Sequence, residues 1–136
     1  MGYRMVRGDQ HEWAERPNVD GQAPRLAANL TESAGLRSSR ARLWRYPAGV
    51  RGRRHADRAQ EEVFVVLDGT LTMLLGDPPE RVELPPRSVV AVDAGTPLQV
   101  RNEHDDELVV LIWGAPPEQA GADFLDDPGE LGAHPA

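Results

Sequence analysis

Between residues 36 and 115 the apolar positions fall into short runs broken by turn-forming residues, without the i, i+3, i+4 spacing of an amphipathic helix. The pattern predicts strands over 36–46, 63–67, 70–75, 81–84, 88–92, 98–101 and 107–113. Pro47-Ala48-Gly49, Asp68-Gly69, Gly76-Asp77-Pro78-Pro79, Leu84-Pro85-Pro86-Arg87 and Asp93-Ala94-Gly95-Thr96-Pro97 supply the punctuation. Among these, Asp68-Gly69 is the signal for a tight hairpin. The uninterrupted run Val63-Phe64-Val65-Val66-Leu67 reads as a strand covered on both faces, whereas Leu71, Met73 and Leu75 alternate with Thr70 and Thr72. Only 30–34 has helical character, with Gly35 as its stop. So many short strands in so little chain predict an all-β domain, either a sandwich or a closed barrel.

Composition narrows the class. A chain of 136 residues, 40% hydrophobic and 5% aromatic, suits one ordinary domain with a small core. The net charge of −7 disfavours a general polyanion binder, so nucleic acid is not an expected partner. The lack of cysteine removes disulfides, thiolate nucleophiles and zinc–thiolate sites, and all 15 basic residues are Arg, which removes lysine Schiff-base chemistry. No apolar run reaches the roughly 18–20 residues of a membrane span, and the N-terminus lacks the apolar stretch of a signal peptide. The expected location is therefore the cytoplasm, with no membrane partner. Charge is uneven: residues 37–58 carry eight Arg and one Asp, residues 103–130 nine acidic residues and no Arg. Two solvated surfaces, or two faces meeting in a dimer, account for that contrast. The chain divides into an arm with a short helix (1–35), the β domain (36–115) and an acidic, Pro- and Gly-rich flexible tail (116–136), with Phe124 and Leu125 as its anchor points.

Candidate ligands concentrate between Gly49 and Gly69, where Gly49, His55, Glu62 and Gly69 are separated by five, six and six residues. This stretch resembles the first motif of the cupin superfamily, with Asp57 at the position of the motif's second His. The second motif has its counterpart between Arg87 and Asn102: Gly95 and Asn102 match, while Arg87, Asp93 and Leu98 stand where the pattern has Gly, Pro and His. The 17 residues between the motifs (70–86) are similar to the short spacer of small single-domain bacterial cupins. The resemblance implies a cupin-type antiparallel β-barrel of jelly-roll topology and a homodimer. In the dimer the arm with Trp13 and Leu26 to Leu30 would swap or pack across the interface. It also implies one divalent ion (Fe, Mn, Ni, Zn, Cu or Co) in the barrel, and the positions that would hold it are here His55, Asp57, Glu62 and Leu98.

With Leu98 offering no lone pair, the remaining set His55, Asp57 and Glu62 predicts an ion that is absent or weakly held. Strand alternation puts His55 and Asp57 on one face, and a turn at Arg58-Ala59-Gln60 resets the parity so that Glu62 joins them. Glu61 then points the opposite way. A purely structural account competes: His55 bonded to Asp57 or Glu62, and Glu62 paired with Arg51, Arg53, Arg54 or Arg58. The run Arg51-Gly52-Arg53-Arg54 reads as a solvated loop or as a clamp for an anionic substrate. His11, His104 and His134 read as surface residues. Parity turns Glu62, Phe64 and Val66 inward with Leu98, Val100 and Asn102, and Trp44, Phe64, Leu98, Val100 and Trp113 are the expected pocket walls. The expected function is small-molecule binding at a degenerate metal site. Two catalytic alternatives use the same pocket, with His55 and Glu62 as the candidate catalytic residues: a metal-dependent dioxygenase or isomerase on His55, Asp57 and Glu62, and a metal-free acid/base epimerase or cyclase in which His55, held by Asp57, exchanges a proton with substrate.

Overall fold

The computed structural model describes residues 2–18, 21–117 and 121–129. Its elements are β1 (Trp13–Arg16), β2 (Arg25–Asn29), α1 (Leu30–Ser33), β3 (Arg40–Tyr46), β4 (His55–Asp57), β5 (Glu61–Asp68), β6 (Leu71–Leu75), β7 (Glu80–Leu84), β8 (Val89–Val92), β9 (Leu98–Arg101), β10 (Leu108–Ala115) and β11 (Ala122–Phe124). They form two antiparallel sheets, one ordered β1-β2-β3-β10-β5-β8 and the other β11-β4-β9-β6-β7. The fold is all-β, of cupin type. Between the sheets lies a core that includes Phe64, Val66, Leu71, Met73, Leu98, Val100, Leu108 and Val110.

Residues of the N-terminal arm supply β1 and β2; β1 pairs with β2 and β2 with the chain's own β3, which widens the first sheet. Residues of the C-terminal tail supply β11, which pairs with β4. Residues 118–120 and 130–136 of that tail, including His134, lie outside the described residues. The short helix stands where the sequence places it. Asn29 caps its start by accepting from the Glu32 amide, and Gly35 leaves it in the left-handed region at φ +64°.

Two expectations are corrected. Asp68-Gly69 is not a hairpin turn, because β5 and β6 belong to different sheets. It is a corner: Gly69 has φ +75°, and a Cβ there would stand 2.5 Å from the Glu107 carbonyl oxygen, so only glycine lets the chain bend this tightly past its neighbour. The tight hairpin is the next one, β6 to β7 through Gly76-Asp77-Pro78-Pro79. The burial of β5 and β6 is also exchanged. On β5 only Phe64 and Val66 are buried and Leu67 is 45% exposed, whereas Leu71, Thr72, Met73 and Leu74 of β6 are all buried.

The cover on the outer face of β6 is polar, which hides it from a hydrophobic pattern. Thr72 donates to Glu83. Beside it on β9, Gln99 and Arg101 are buried and bound to Asp127 and Glu103, and Arg51 also reaches Asp127. Arg81 joins Glu83 to Glu103, and His104 bonds Glu83 at 2.8 Å. Every charge in this network has an opposite partner, which is what lets charged groups cover a buried strand.

Candidate functional site

Cross-strand register assembles the site. Opposed residues of antiparallel strands share a face, so β5, β10 and β3 present three inward rows: Glu62, Gly114 and Arg40; Phe64, Ile112 and Arg42; Val66, Val110 and Trp44. From the second sheet, Phe124, His55 and Leu98 form one facing row across β11, β4 and β9. Between the rows lies a cavity of about 380 Å³ whose walls include Trp44, Tyr46, Phe64, Leu98 and Val100, with His55, Asp57 and Glu62 on one side. Trp113, expected in this pocket, is not among its walls. It alternates out of the inward row, is 44% exposed, and lines a groove on the outside of the sheet with Val6, His11, Leu36 and Leu111.

His55 and Glu62 face each other, with Nε2 to Oε1 at 3.8 Å. That is charge attraction without a direct hydrogen bond. Nδ1 lies 3.0 Å from the Arg53 carbonyl, which can only accept, so Nδ1 carries the proton and Nε2 is left facing Glu62. Burial opposes the imidazolium, but the Glu62 carboxylate, the Arg53 carbonyl and Asp57 outweigh it and hold His55 above its ordinary value. Glu62 Oε1 is buried and accepts no hydrogen bond.

Asp57 lines the same cavity with one carboxylate oxygen taken up by its own turn. Its Oδ1 accepts from the amides of Ala59 and Gln60, at 3.1 and 2.8 Å, an Asx turn that creates the parity reset between β4 and β5. The arginines expected to pair with Glu62 are engaged elsewhere: Arg51 with Asp127, Arg54 with Asp77, Arg58 with Asp123, while Arg53 stacks on the Phe124 ring at 3.6 Å. Arg51, Arg54 and Arg58 thus bind the C-terminal segment and the β6–β7 turn. His104 sits in the outer polar network and His11 in the outer groove.

The donors do not fit a resident divalent ion. Asp57 commits one oxygen to its turn, the row partner of His55 is Leu98, and among the described residues no three His, Asp or Glu side chains converge as a ligand group. Sequence reasoning missed Arg25, Arg40, Tyr46 and Phe124 as cavity walls. The alternation Arg40, Arg42, Trp44, Tyr46 signals two of these, Arg40 and Tyr46, once β3 is in register. Arg25 and Phe124 depend on the pairing of β2 and β11, for which the sequence carries no periodic signal. Tyr46 is fully buried, its phenol pushed up by burial against the pull of Arg25, whose Nη1 donates to the hydroxyl at 3.2 Å.

The sequence profile described as "Cupin domain" matches residues 42–114. The chain belongs to this cupin family. No curated protein matches it. Solved cupin-fold structures superpose over most of its length. One is described as a sugar phosphate isomerase of the cupin superfamily from Silicibacter pomeroyi DSS-3, with TM-score 0.70 and 20% identity over 93% of this chain and 94% of that one. Another is the polyketide cyclase RemF from Streptomyces resistomycificus, with TM-score 0.75 and 14% identity over 95% and 89%. A third is described as a "predicted oxalate decarboxylase" from Thermotoga maritima, with TM-score 0.71 and 18% identity over 82% and 97%. At these identities the likeness is one of fold.

Proposed function

We propose that this cupin binds a small molecule in its barrel and holds it through the His55–Glu62 pair, without a resident metal centre. The carrying observation is Glu62 Oε1, a buried carboxylate oxygen with no hydrogen-bond donor, set 3.8 Å from His55 Nε2 inside a cavity that also presents Trp44, Phe64, Leu98 and Val100. A buried acceptor left open is costly, and a ligand hydroxyl or N–H entering between the two groups satisfies it. The test is elemental analysis of protein purified without chelator, with melting followed against Fe(II), Mn(II), Ni(II), Zn(II) and Cu(II), and then a metabolite screen. We expect no stoichiometric ion, and a ligand whose stabilisation is lost in Glu62→Gln. A stoichiometric ion that disappears in His55→Ala overturns this reading in favour of a metal-dependent dioxygenase or isomerase.

A second reading gives the same pair a catalytic step, and the proton arrangement favours it. With Nδ1 held by the Arg53 carbonyl, Nε2 is the atom free to take a proton from a bound ligand, and Glu62 stabilises the imidazolium that results. Such proton movement suits an epimerase or a cyclase, and RemF, named a polyketide cyclase, shares the fold. The check is solvent deuterium exchange into a ligand found by the screen: exchange lost in His55→Gln supports catalysis, while binding without exchange leaves a carrier.

The reading also carries a homodimer. Its support is the apolar outer groove of Val6, Leu36, Leu111 and Trp113 and the exposed edge strand β1. Sedimentation should give twice the 14.9 kDa chain mass, and Trp113→Glu should return it to the monomer value.

A further inference from the structure

Register alone gathers four guanidiniums on the inner face of the six-stranded sheet. Arg16 of β1 opposes Arg25 of β2, Arg25 shares its face with Ala27, and Ala27 opposes Trp44 of β3. Arg42 and Arg40 follow Trp44 at alternate positions of the same strand. Arg25, Arg40 and Arg42 line the cavity, and Arg25 lies over the Trp44 ring at 4.8 Å.

These four are clustered on one face, and among the described residues no carboxylate pairs with any of them. Arg45, Arg51, Arg54, Arg58, Arg81 and Arg101 each reach a carboxylate within 4.0 Å. Among the described residues, no ion pair of that length reaches Arg16, Arg25, Arg40 or Arg42. Burial and the like charges of Arg16 and Arg40 press the Arg42 guanidinium below its ordinary value. A protein of net charge −7 has carboxylates in excess, yet among the described residues none is within ion-pair distance of these cations. Such an arrangement is relieved by an anion supplied from outside.

The rest of the cavity limits how that anion sits. Glu62 and Arg40 occupy one cross-strand row with Gly114 between them, about 10 Å apart at two strand spacings. Gly114 has no side chain to fill the gap, and a Cβ there would crowd Gln60 Oε1 and the Glu61 carbonyl at 3.2 Å each. The Glu62 carboxylate repels an anion from its own end, and Trp44, Phe64 and Leu98 offer flat and apolar surface between the ends.

We propose that Arg40 and Arg42, backed by Arg25 and Arg16, form an oxyanion subsite for the carboxylate or phosphate of a ring-bearing ligand. In this arrangement the ring lies against Trp44 and Phe64, and the far end reaches His55 and Glu62. The subsite deepens the proposed function and rests on it for the small-molecule occupant. It sets both the substrate class, a cyclic acid or phosphate ester, and its orientation.

The test compares benzoate, phenyl phosphate and neutral benzamide by calorimetry, with melting temperature followed in inorganic phosphate. In the native protein both anionic probes should bind at least about tenfold more tightly than benzamide, the scale of a charge-assisted bidentate contact, and phosphate should raise the melting temperature. That advantage should vanish in Arg40→Gln/Arg42→Gln and persist in Arg45→Gln, whose guanidinium pairs with Glu107 outside the cavity. Arg42→Lys keeps the charge without the fork and should retain phenyl phosphate better than benzoate, which also covers a double variant that fails to fold. Whichever of benzoate and phenyl phosphate binds more tightly identifies the oxyanion. Benzamide binding as tightly as benzoate overturns the subsite and leaves the small-molecule reading standing. An anion advantage that survives the double variant overturns it too, and no response to any probe or to phosphate overturns the subsite while the small-molecule reading stands or falls by the metabolite screen.

Discussion

His55 Nε2 and Glu62 Oε1 face each other across a gap too long for a hydrogen bond and too short for either to ignore the other's charge. The sign of the pH effect follows. Because the folded state holds His55 above its ordinary value, its charged form contributes stability that is complete below the unfolded pKa of about 6.5. That contribution is lost as pH rises through the higher native pKa. An NMR titration of the His55 ring should therefore show a midpoint above the ordinary histidine value, moving down in Glu62→Gln. The stability gap between the native protein and that variant should narrow from pH 6 upward. A midpoint at or below the ordinary value in the native protein overturns the assignment of Glu62 as the partner. At this scale the sequence was legible for His55, Glu62 and Leu98, because fixed motif spacing and strand parity place them. Asp57 was legible as inward but not as a turn cap, since strand parity does not describe the turn whose amides, of Ala59 and Gln60, donate to its Oδ1.

Strand β11 shows how an element with no periodic signal becomes part of the site. Three residues pair with β4, Phe124 packs on His55 at a ring separation of 6.2 Å and on Arg53, and the segment beyond is tied down by Asp127. Asp127 accepts from Gln99 and from Gly129 and faces Arg51 and Arg101. Burial works against its carboxylate, but these partners outweigh it and hold the pKa below the ordinary range. A depressed carboxylate stabilises the fold above its unfolded pKa and ceases to do so as pH falls through the folded one. Asp127→Asn should thus melt lower than the native protein at neutral pH, by about 1 kcal/mol for a partly exposed group. The two should converge below about pH 4. Faster amide exchange in β11 of the variant at neutral pH would locate the loss, and a variant as stable as the native protein at pH 7 removes Asp127 as the anchor. The same polar network explains the exchanged burial of β5 and β6. Thr72, Gln99 and Arg101 stand on the parity opposite to the inward residues of their strands, yet hydrogen bonds and the ion pairs of Arg101 bury them, and only tertiary pairing reveals that cover.

On the scale of the whole molecule, the cupin frame has been kept while the residues it carries have changed. Seven of the eight strands over 40–115, all but the three-residue β4, were legible because glycine and proline turns bound them, and the two-sheet assembly follows from the motif resemblance. The arm and tail strands were not, being three to five residues long and rich in polar side chains. If the frame is intact, a single substitution should bring a third ligand to the His55–Glu62 end. Leu98 is the register partner of His55 and lines the same cavity, and paired Cβ atoms on neighbouring strands stand about 5 Å apart. Leu98→His therefore places a second imidazole beside His55 and opposite Glu62, a set of two His and one carboxylate that suits a divalent transition ion. With Ni(II) or Zn(II) at about a hundredfold excess over Kd, this variant should gain at least about 5 °C in melting temperature. The native protein and the polar control Leu98→Asn should not respond. Absence of a response in a folded Leu98→His protein would mean that His55 and Glu62 are not arranged as the register requires. A response in the native protein would instead show that His55 and Glu62 already bind the ion, and would return the metal to the site.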